Sequence, residues 1–489
     1  MKRLIVIVFI IFGAFLTLCL YRTYAYDTSV VEEVPSTTDL EYTFKIGNSS
    51  IKQITVDSGE TRYYDIVLGN PNNAKISYGV YYEMVSPSTK PDGYSIEYTS
   101  KSTGNSTGKV DKNGNITLNL VVTNASSSTV TVKLGTVAGY VNGGELTLGS
   151  GQVIIPKALV NAVELITNLN DGTTGDSGSG VYKIIHSAIP AGSSATGSEI
   201  PAVTDYRYYG PSPNNYICLD MEGQSTCPDK HLYRIIGSIY DEKENTNRLK
   251  LIKATPLTDG TTSEFSWDYR VFNNGGVVYS NIWATITSGN YSNSLTSGSQ
   301  LMKLLNSGAW WNGTSGSYYN DSTTATTVNF TNYKLSDKAK SYITTSRYYL
   351  GGYNTSRGVM TNQFYVYERG TLRSLTAEPL YWEGMVGLMY PSDYGYAAGN
   401  SCVSGTKLYN YNGGCRIKDW LYISNDHQWL MSPHSDDSRF VFYVGKGGLF
   451  DTNLNDYTYA VRPVFYLNYS ASITNGDGSL NNPYLITLE

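Results

Sequence analysis

Charge is scarce in this 489-residue chain, where Asp, Glu, Lys and Arg together make up only 16% of positions. There are four histidines, sixteen prolines and five cysteines, one of which lies in the apolar N-terminal run. Phenylalanine is also sparse, at 12 against 44 tyrosines. No HExxH, GxSxG or Walker-type glycine loop is present, so zinc-protease, serine-hydrolase and P-loop chemistry have no motif to stand on. With a formal net charge of −5 there is no basic excess, which argues against a nucleic-acid partner, since that needs a positive surface. Strong helix formers are thinly spread among Ser, Thr, Asn and 48 glycines. Ser, Thr and Asn favour turns and caps, whereas Tyr and Thr suit half-exposed strands. The expected fold class is therefore mainly β with minor α.

Lys2 and Arg3 precede an apolar stretch from Leu4 to Leu20, the pattern of an export signal or N-terminal membrane anchor over residues 1–26. Ala25, with Thr23 two positions before it, is the expected cleavage point. Cleavage there would remove Lys2, Arg3 and Arg22 and take the net charge from −5 to −8. No second hydrophobic run follows, so the rest of the chain is expected outside the cell, with the membrane contacted only through this segment. The remaining cysteines, Cys218, Cys227, Cys402 and Cys415, are even in number, which in an exported chain suggests two disulfides. Of the three pairings, 218 with 227 and 402 with 415 close the shortest loops. A structural zinc site is the alternative, but neither pair has CxxC spacing.

An acidic Ser/Thr/Pro-containing leader spans 27–40. From 41 to 169, short β-type runs alternate with Gly/Asn turns, as in an Ig-like or jelly-roll β-sandwich. The runs are 50–56, 62–68, 76–82, 116–122 and 129–134, and a short helix over 158–169 follows. Residues 170–180, rich in Gly, Ser, Thr and Asp, read as a linker to a larger domain over 181–489. Within that domain the sequence predicts helices over 298–306 and 336–342, the second capped by Ser336.

The larger region carries ordered motifs. Asp205-Tyr-Arg-Tyr208, Pro213-Asn-Asn-Tyr-Ile-Cys218 and Leu232-Tyr-Arg-Ile-Ile-Gly237 open it. Trp382 to Tyr396 lies in the middle. Trp429-Leu-Met-Ser-Pro433, Phe440-Val-Phe-Tyr-Val444, Val461-Arg-Pro-Val-Phe-Tyr-Leu467, Gly476-Asp-Gly478 and Asn482-Pro-Tyr484 close it. In their order these motifs resemble secreted Gram-positive proteins of the formylglycine-generating-enzyme and C-type-lectin-like superfold. The resemblance covers roughly residues 203–486. It implies a lectin-like α+β domain in which 382–396 supplies a central strand and a loop, and an (F/V)RP strand completes the fold. It does not bring the oxidase activity with it, because Cys402 and Cys415 lack the close thiol spacing of that enzyme.

Catalytic candidates are few. His427 and His434 flank Trp429, with Asp426, Ser435, Asp436 and Asp437 nearby in the sequence, but proximity in a Ser/Asp-rich stretch is weak support for an acid–base site. No catalytic residue and no metal ligand is assigned. Asn475 to Ser479 offers oxygen ligands for calcium, yet a tight turn accounts for the same residues. Arg462, inside an apolar segment, is expected to be a structural anchor in a partly buried bidentate ion pair. Trp429 is expected as buried support beneath a ligand-binding loop over 435–459. In that loop Asp436, Asp437, Arg439, Lys446, Asp451, Asn453, Asn455, Tyr457 and Tyr459 are the candidate contacts, because polar and aromatic side chains crowd an apolar scaffold.

Together these readings describe a non-catalytic adhesion protein at a bacterial surface, with a glycan, a host protein or a matrix protein as partner and no cofactor. Rival readings are a matrix or filament component, a divergent secreted enzyme, and a receptor diversified in the 435–459 region.

Overall fold

Asparagine and alternating apolar residues organise the first part of the chain. In the strand Asn115–Asn124 every second residue, from Ile116 through Leu118, Leu120 and Val122, is buried, the period-two pattern of a half-buried strand. Asn124 at its end donates its amide to the carbonyls of Val56 and Ser128, both at 2.8 Å. Asn70 does the same for Ala74, Val110 and Asp111. A buried amide that satisfies several loop carbonyls replaces ladder bonds where the chain turns.

The computed structural model describes residues 19–20, 43–46, 53–99, 102–140, 146–158, 160–170, 172, 175, 178–271, 277–278, 280–284, 298–376 and 378–488. The predicted export segment 1–26 and the leader 27–40 lie outside the described residues but for Cys19 and Leu20. The protein is mainly β, with 40% strand and 14% helix, and divides into two compact units, 1–159 and 160–489.

In the first unit, one antiparallel sheet runs through Thr43–Ile46, Glu60–Gly69, Asn115–Asn124 and Tyr94–Tyr98. The other runs through Gln152–Ile154, Ile76–Ser86, Val130–Tyr140 and Gln53–Val56, with Thr107–Val110 also on Ile76–Ser86. Ile66, Leu68, Leu118 and Leu120 of the first sheet share one core with Val56, Val80, Val132 and Leu134 of the second, so the unit is a β-sandwich.

The second unit is built on a ten-stranded sheet and a five-stranded sheet. The larger passes through Val160–Asn161, Ala471–Asn475, Tyr484–Leu488, Tyr216–Cys218, Leu232–Asp241, Thr246–Lys253, Val464–Leu467 and Ile343–Thr344, and the hairpin Gly180–His186/Val203–Tyr209 joins at Leu232–Asp241. The smaller runs Glu264–Ser266, Thr458–Ala460, Gln428–Pro433, Phe440–Val444, Phe450–Leu454. Helices form at Gln300–Asn306 and Asp337–Ser341, where Ser299 and Ser336 accept the amides of Met302 and Ala339 as N-caps. Disulfides join Cys218 to Cys227 and Cys402 to Cys415.

Several expectations need correction. The helix near 158–169, observed at Ala162–Asn168, belongs to the second unit rather than the first, because Ala162 and Ile166 pack into the second unit's core. Among the described residues of 170–180, Asn170 and Gly175 are packed rather than free. Asn170 bridges Val181, and Gly175, at φ +78°, passes so close to Tyr182 that a Cβ would lie 2.7 Å from the ring. Its carbonyl accepts the amide of Asn400, so glycine is needed there for close packing rather than for flexibility. The segment 382–396 does not form a central strand. It gives only Tyr381–Gly384, paired with Ser346–Tyr349 in a two-stranded sheet, and then the helix Pro391–Ala397. Pro391 at the first helical position, with Asp393 bonding back to the Tyr390 amide, starts that helix.

Asp393 also anchors a buried charge network. Arg207 donates Nη1 to Asp393 (2.7 Å) and Nε and Nη2 to Asp205 (3.1 and 2.9 Å). Lys250 Nζ lies 2.5 Å from Asp393, and His186 Nε2 lies 2.9 Å from Asp205. Burial pushes the Asp205 carboxyl up, but Arg207 and His186 outweigh it and hold the group below the usual carboxylate range. The Asp-x-Arg spacing on a strand puts both side chains on one face, so this opening motif is a scaffold clamp between strand Val203–Tyr209 and helix Pro391–Ala397.

Two other carboxyls shift upward. Burial raises Glu368 to about 7, with Arg369 and Ser392 offsetting part of the effect, and raises Asp268 to about 6 against the pull of Arg270. Both folded-state values exceed the unfolded ones, so these groups ionise first in the unfolded chain, and their contribution to stability falls as pH rises from about 4 through about 7. The melting temperature is expected to decline across that window, and Glu368→Gln is expected to flatten the decline. An unchanged slope in a pH series of thermal melts would remove Glu368 from this account.

Candidate functional site

Rings in the five-stranded sheet form a series that runs from the core to the surface. Trp267 and Trp429 are fully buried with centroids 6.3 Å apart. Trp429 Nε1 donates to the Phe265 carbonyl at 2.9 Å. Tyr459 lies 4.4 Å from Trp429, and Tyr443 and His427 lie 5.0 and 4.9 Å from Tyr459. Tyr457, 6.4 Å from Tyr459, is 47% exposed. Strand pairing produces this order, because Trp429 faces Tyr443 and Phe265 faces Tyr459 across the ladder, and cross-strand partners share a face. Tyr443 and His427 are half-buried, so each offers part of a ring to solvent. Burial lowers the His427 pKa, and Lys446 lowers it further, leaving the imidazole neutral near pH 7.

The 435–459 stretch is not one irregular loop. Phe440–Val444 and Phe450–Leu454 form a hairpin in which Tyr443 faces Asp451 and Val441 faces Asn453. Asp436, Arg439, Lys446 and Tyr457 are exposed. Asp437 is engaged by Arg439 at 2.8 Å, and Asp451 accepts the Ser356 hydroxyl at 2.6 Å. The Asn453 amide donates to the Tyr459 hydroxyl. Two expected contacts are not on the surface. Tyr459 is 6% exposed because Trp429, Tyr443 and Asn453 surround it. Asn455 is 0% exposed because its backbone is bonded to Arg439 and Asp268. From below, Asn281 donates its amide to the carbonyls of His434, Asp437 and Phe440, pinning the turn that carries Asp436 and Arg439.

Neighbours in sequence around His434 do not assemble an acid–base pair. His434 Nδ1 accepts the backbone amides of Asp436 and Asp437 at 3.2 and 3.1 Å, and the Ser435 hydroxyl donates to Asp436 at 3.0 Å. The group is a closed turn whose lone pair is already in use. Asn475 to Ser479 is likewise a turn, in which Asp477 accepts the Ser479 amide at 2.9 Å. Arg462 is buried, but it donates to the carbonyls of Lys253 and Leu421 at 2.7 and 3.2 Å rather than to a carboxylate. Backbone oxygens replace the expected bidentate pair, and burial lowers its pKa to about 9. It remains an interior tie between the segment before strand Val464–Leu467 and its neighbours.

Tyr443 was concealed in the sequence by the apolar run 440–444, where it reads as core. Strand parity is the signal that could have found it, since Tyr443 and Phe442 must point to opposite faces. No protein-family model, curated protein or solved structure matches the chain.

Proposed function

We propose that this is an extracellular, non-catalytic recognition protein, with a sandwich spacer and a second, lectin-like unit that binds a glycan on the tyrosine face. The observation that carries the reading is the ring series that emerges at Tyr443, His427 and Tyr457 beside Asp451, Asn453 and Lys446. Half-exposed rings supply apolar area with a polar tip, and adjacent amide, carboxylate and ammonium groups orient a hydroxyl-rich ligand. Two disulfides fit an oxidising compartment, in keeping with a place at the cell surface. The lectin-like reading is supported by a closing arrangement in which Ala471–Asn475 pairs with Val160–Asn161, and Tyr484–Leu488 runs parallel to Tyr216–Cys218.

The test is a glycan array probed with the full chain, followed by the variant in which Asp436, Arg439, Lys446 and Tyr457 are all alanine. All four are exposed, so each change is expected to alter stability by less than about 0.5 kcal/mol. Binding is expected to fall at least tenfold. A variant that melts like the parent and still binds with parental affinity would exclude this face, and binding to a host or matrix protein in place of any glycan would redirect the reading to a protein ligand.

A further inference from the structure

Away from the tyrosine face, three metal-ligating side chains converge on the loop clipped by the Cys218–Cys227 disulfide. Donor atoms of Asp220, Glu222 and His231 all lie within 4.8 Å of one another. The backbone sets this arrangement independently of the side chains. The disulfide joins the loop ends, Leu219 donates its amide to the His231 carbonyl at 3.0 Å, and the one-turn helix Asp229–His231 is closed by His231 N on Pro228 O at 2.8 Å. Ser336, at the start of the helix Asp337–Ser341, donates its hydroxyl to Asp220 at 2.6 Å and orients that carboxylate from behind. This cluster was not among the expectations drawn from the sequence.

Two further contacts define the cluster. A cationic group already sits on it, with Lys230 Nζ 2.8 Å from Glu222 Oε1. The His231 ring is fully buried yet only half bonded. Its Nε2 meets Glu222 at 3.1 Å, while Nδ1 has no partner. Nε2 is thus the nitrogen turned toward the carboxylates and the one placed to act as a ligand.

We propose that Asp220, Glu222 and His231 form a binding site for one divalent transition-metal ion of the zinc class. One imidazole nitrogen and two carboxylate oxygens are a ligand set that zinc accepts, with ligand distances near 2.0–2.2 Å. The three donor atoms lie within 4.8 Å of one another and would close further around one ion. The ion takes the place of the Lys230 ammonium, whose side chain is 25% exposed and can swing into solvent. Because Glu222 is exposed, the ion keeps an open, water-facing position.

The test uses the full chain with both disulfides formed, stripped with a chelator and titrated with zinc chloride by calorimetry. One ion per chain is expected, together with a rise in melting temperature. Asp220→Asn and Glu222→Gln, both at non-buried positions, are each expected to weaken binding at least tenfold while the chain stays folded. Lys230→Met removes the competing ammonium and is expected to tighten binding, a result that a purely structural cluster would not give. A hundredfold excess of calcium is expected to leave zinc in place. The proposal is overturned if the parent takes up no zinc, if the carboxylate variants bind it equally, if Lys230→Met leaves the affinity unchanged, or if calcium displaces zinc.

Discussion

Trp429→Ala is expected to cost the second unit about 3–5 kcal/mol, the range for removing a large aromatic side chain from a packed core. Trp429 has no exposed surface and fills the space between Trp267 and Tyr459. Removing it leaves a cavity and also orphans the Phe265 carbonyl, which the indole nitrogen satisfies at 2.9 Å. Because the ring packs against Tyr459, the loss should also disorder the tyrosine face and abolish recognition together with stability. Trp429→Phe keeps part of the packing and is expected to cost less. Urea denaturation with fluorescence detection measures both, and a Trp429→Ala midpoint close to the parent's would show that the site collapses around the smaller side chain.

A comparable loss, about 3–5 kcal/mol, is expected for Arg207→Met, since removing one member of a buried ion set leaves its partners charged and under-compensated. Here Asp205 keeps only His186 and Asp393 only Lys250 as a side-chain ion partner, and both carboxylates are essentially without exposure. The pH dependence identifies the cause. Without the guanidinium, burial raises the Asp205 carboxyl, so the deficit is expected to be largest near neutral pH and to shrink as pH falls, first as the variant's carboxyl takes up a proton and then, below about pH 4, as the parent loses the stability of its ionised Asp205. A deficit independent of pH would mean that Arg207 acts through packing against the Tyr396 ring, 5.0 Å away, rather than through charge.

The strand content was legible because its signal is local. The run 116–122 alternates apolar and polar residues, and the observed strand Asn115–Asn124 buries the apolar set. Ser336 marked the second predicted helix for the same reason, since a cap needs only the next three residues, and the structure adds Ser299 as the cap of the first. Cysteine pairing by shortest separation corresponds to the two disulfides present.

The candidate site was only partly legible. Asp436, Arg439, Lys446 and Tyr457 are exposed in the structure, but Tyr459 and Asn455 turned inward and Tyr443 turned outward. These fates depend on which strand lies alongside, and pairings such as Phe265 with Tyr459, nearly two hundred residues apart, are not written in any window of sequence.

By itself, then, the sequence determined a mainly β chain, its short capped helices, its two disulfides and the polar character of the 435–459 stretch, because propensity, capping and cysteine spacing act over short separations. Tertiary structure alone decided that Asp205, Arg207, Lys250 and Asp393 meet in one buried clamp, that Asn170 and Gly175 of the expected linker pack down, and that the aromatic series ends at the surface. Each of those outcomes depends on contacts between distant segments, where packing and desolvation outweigh local preference.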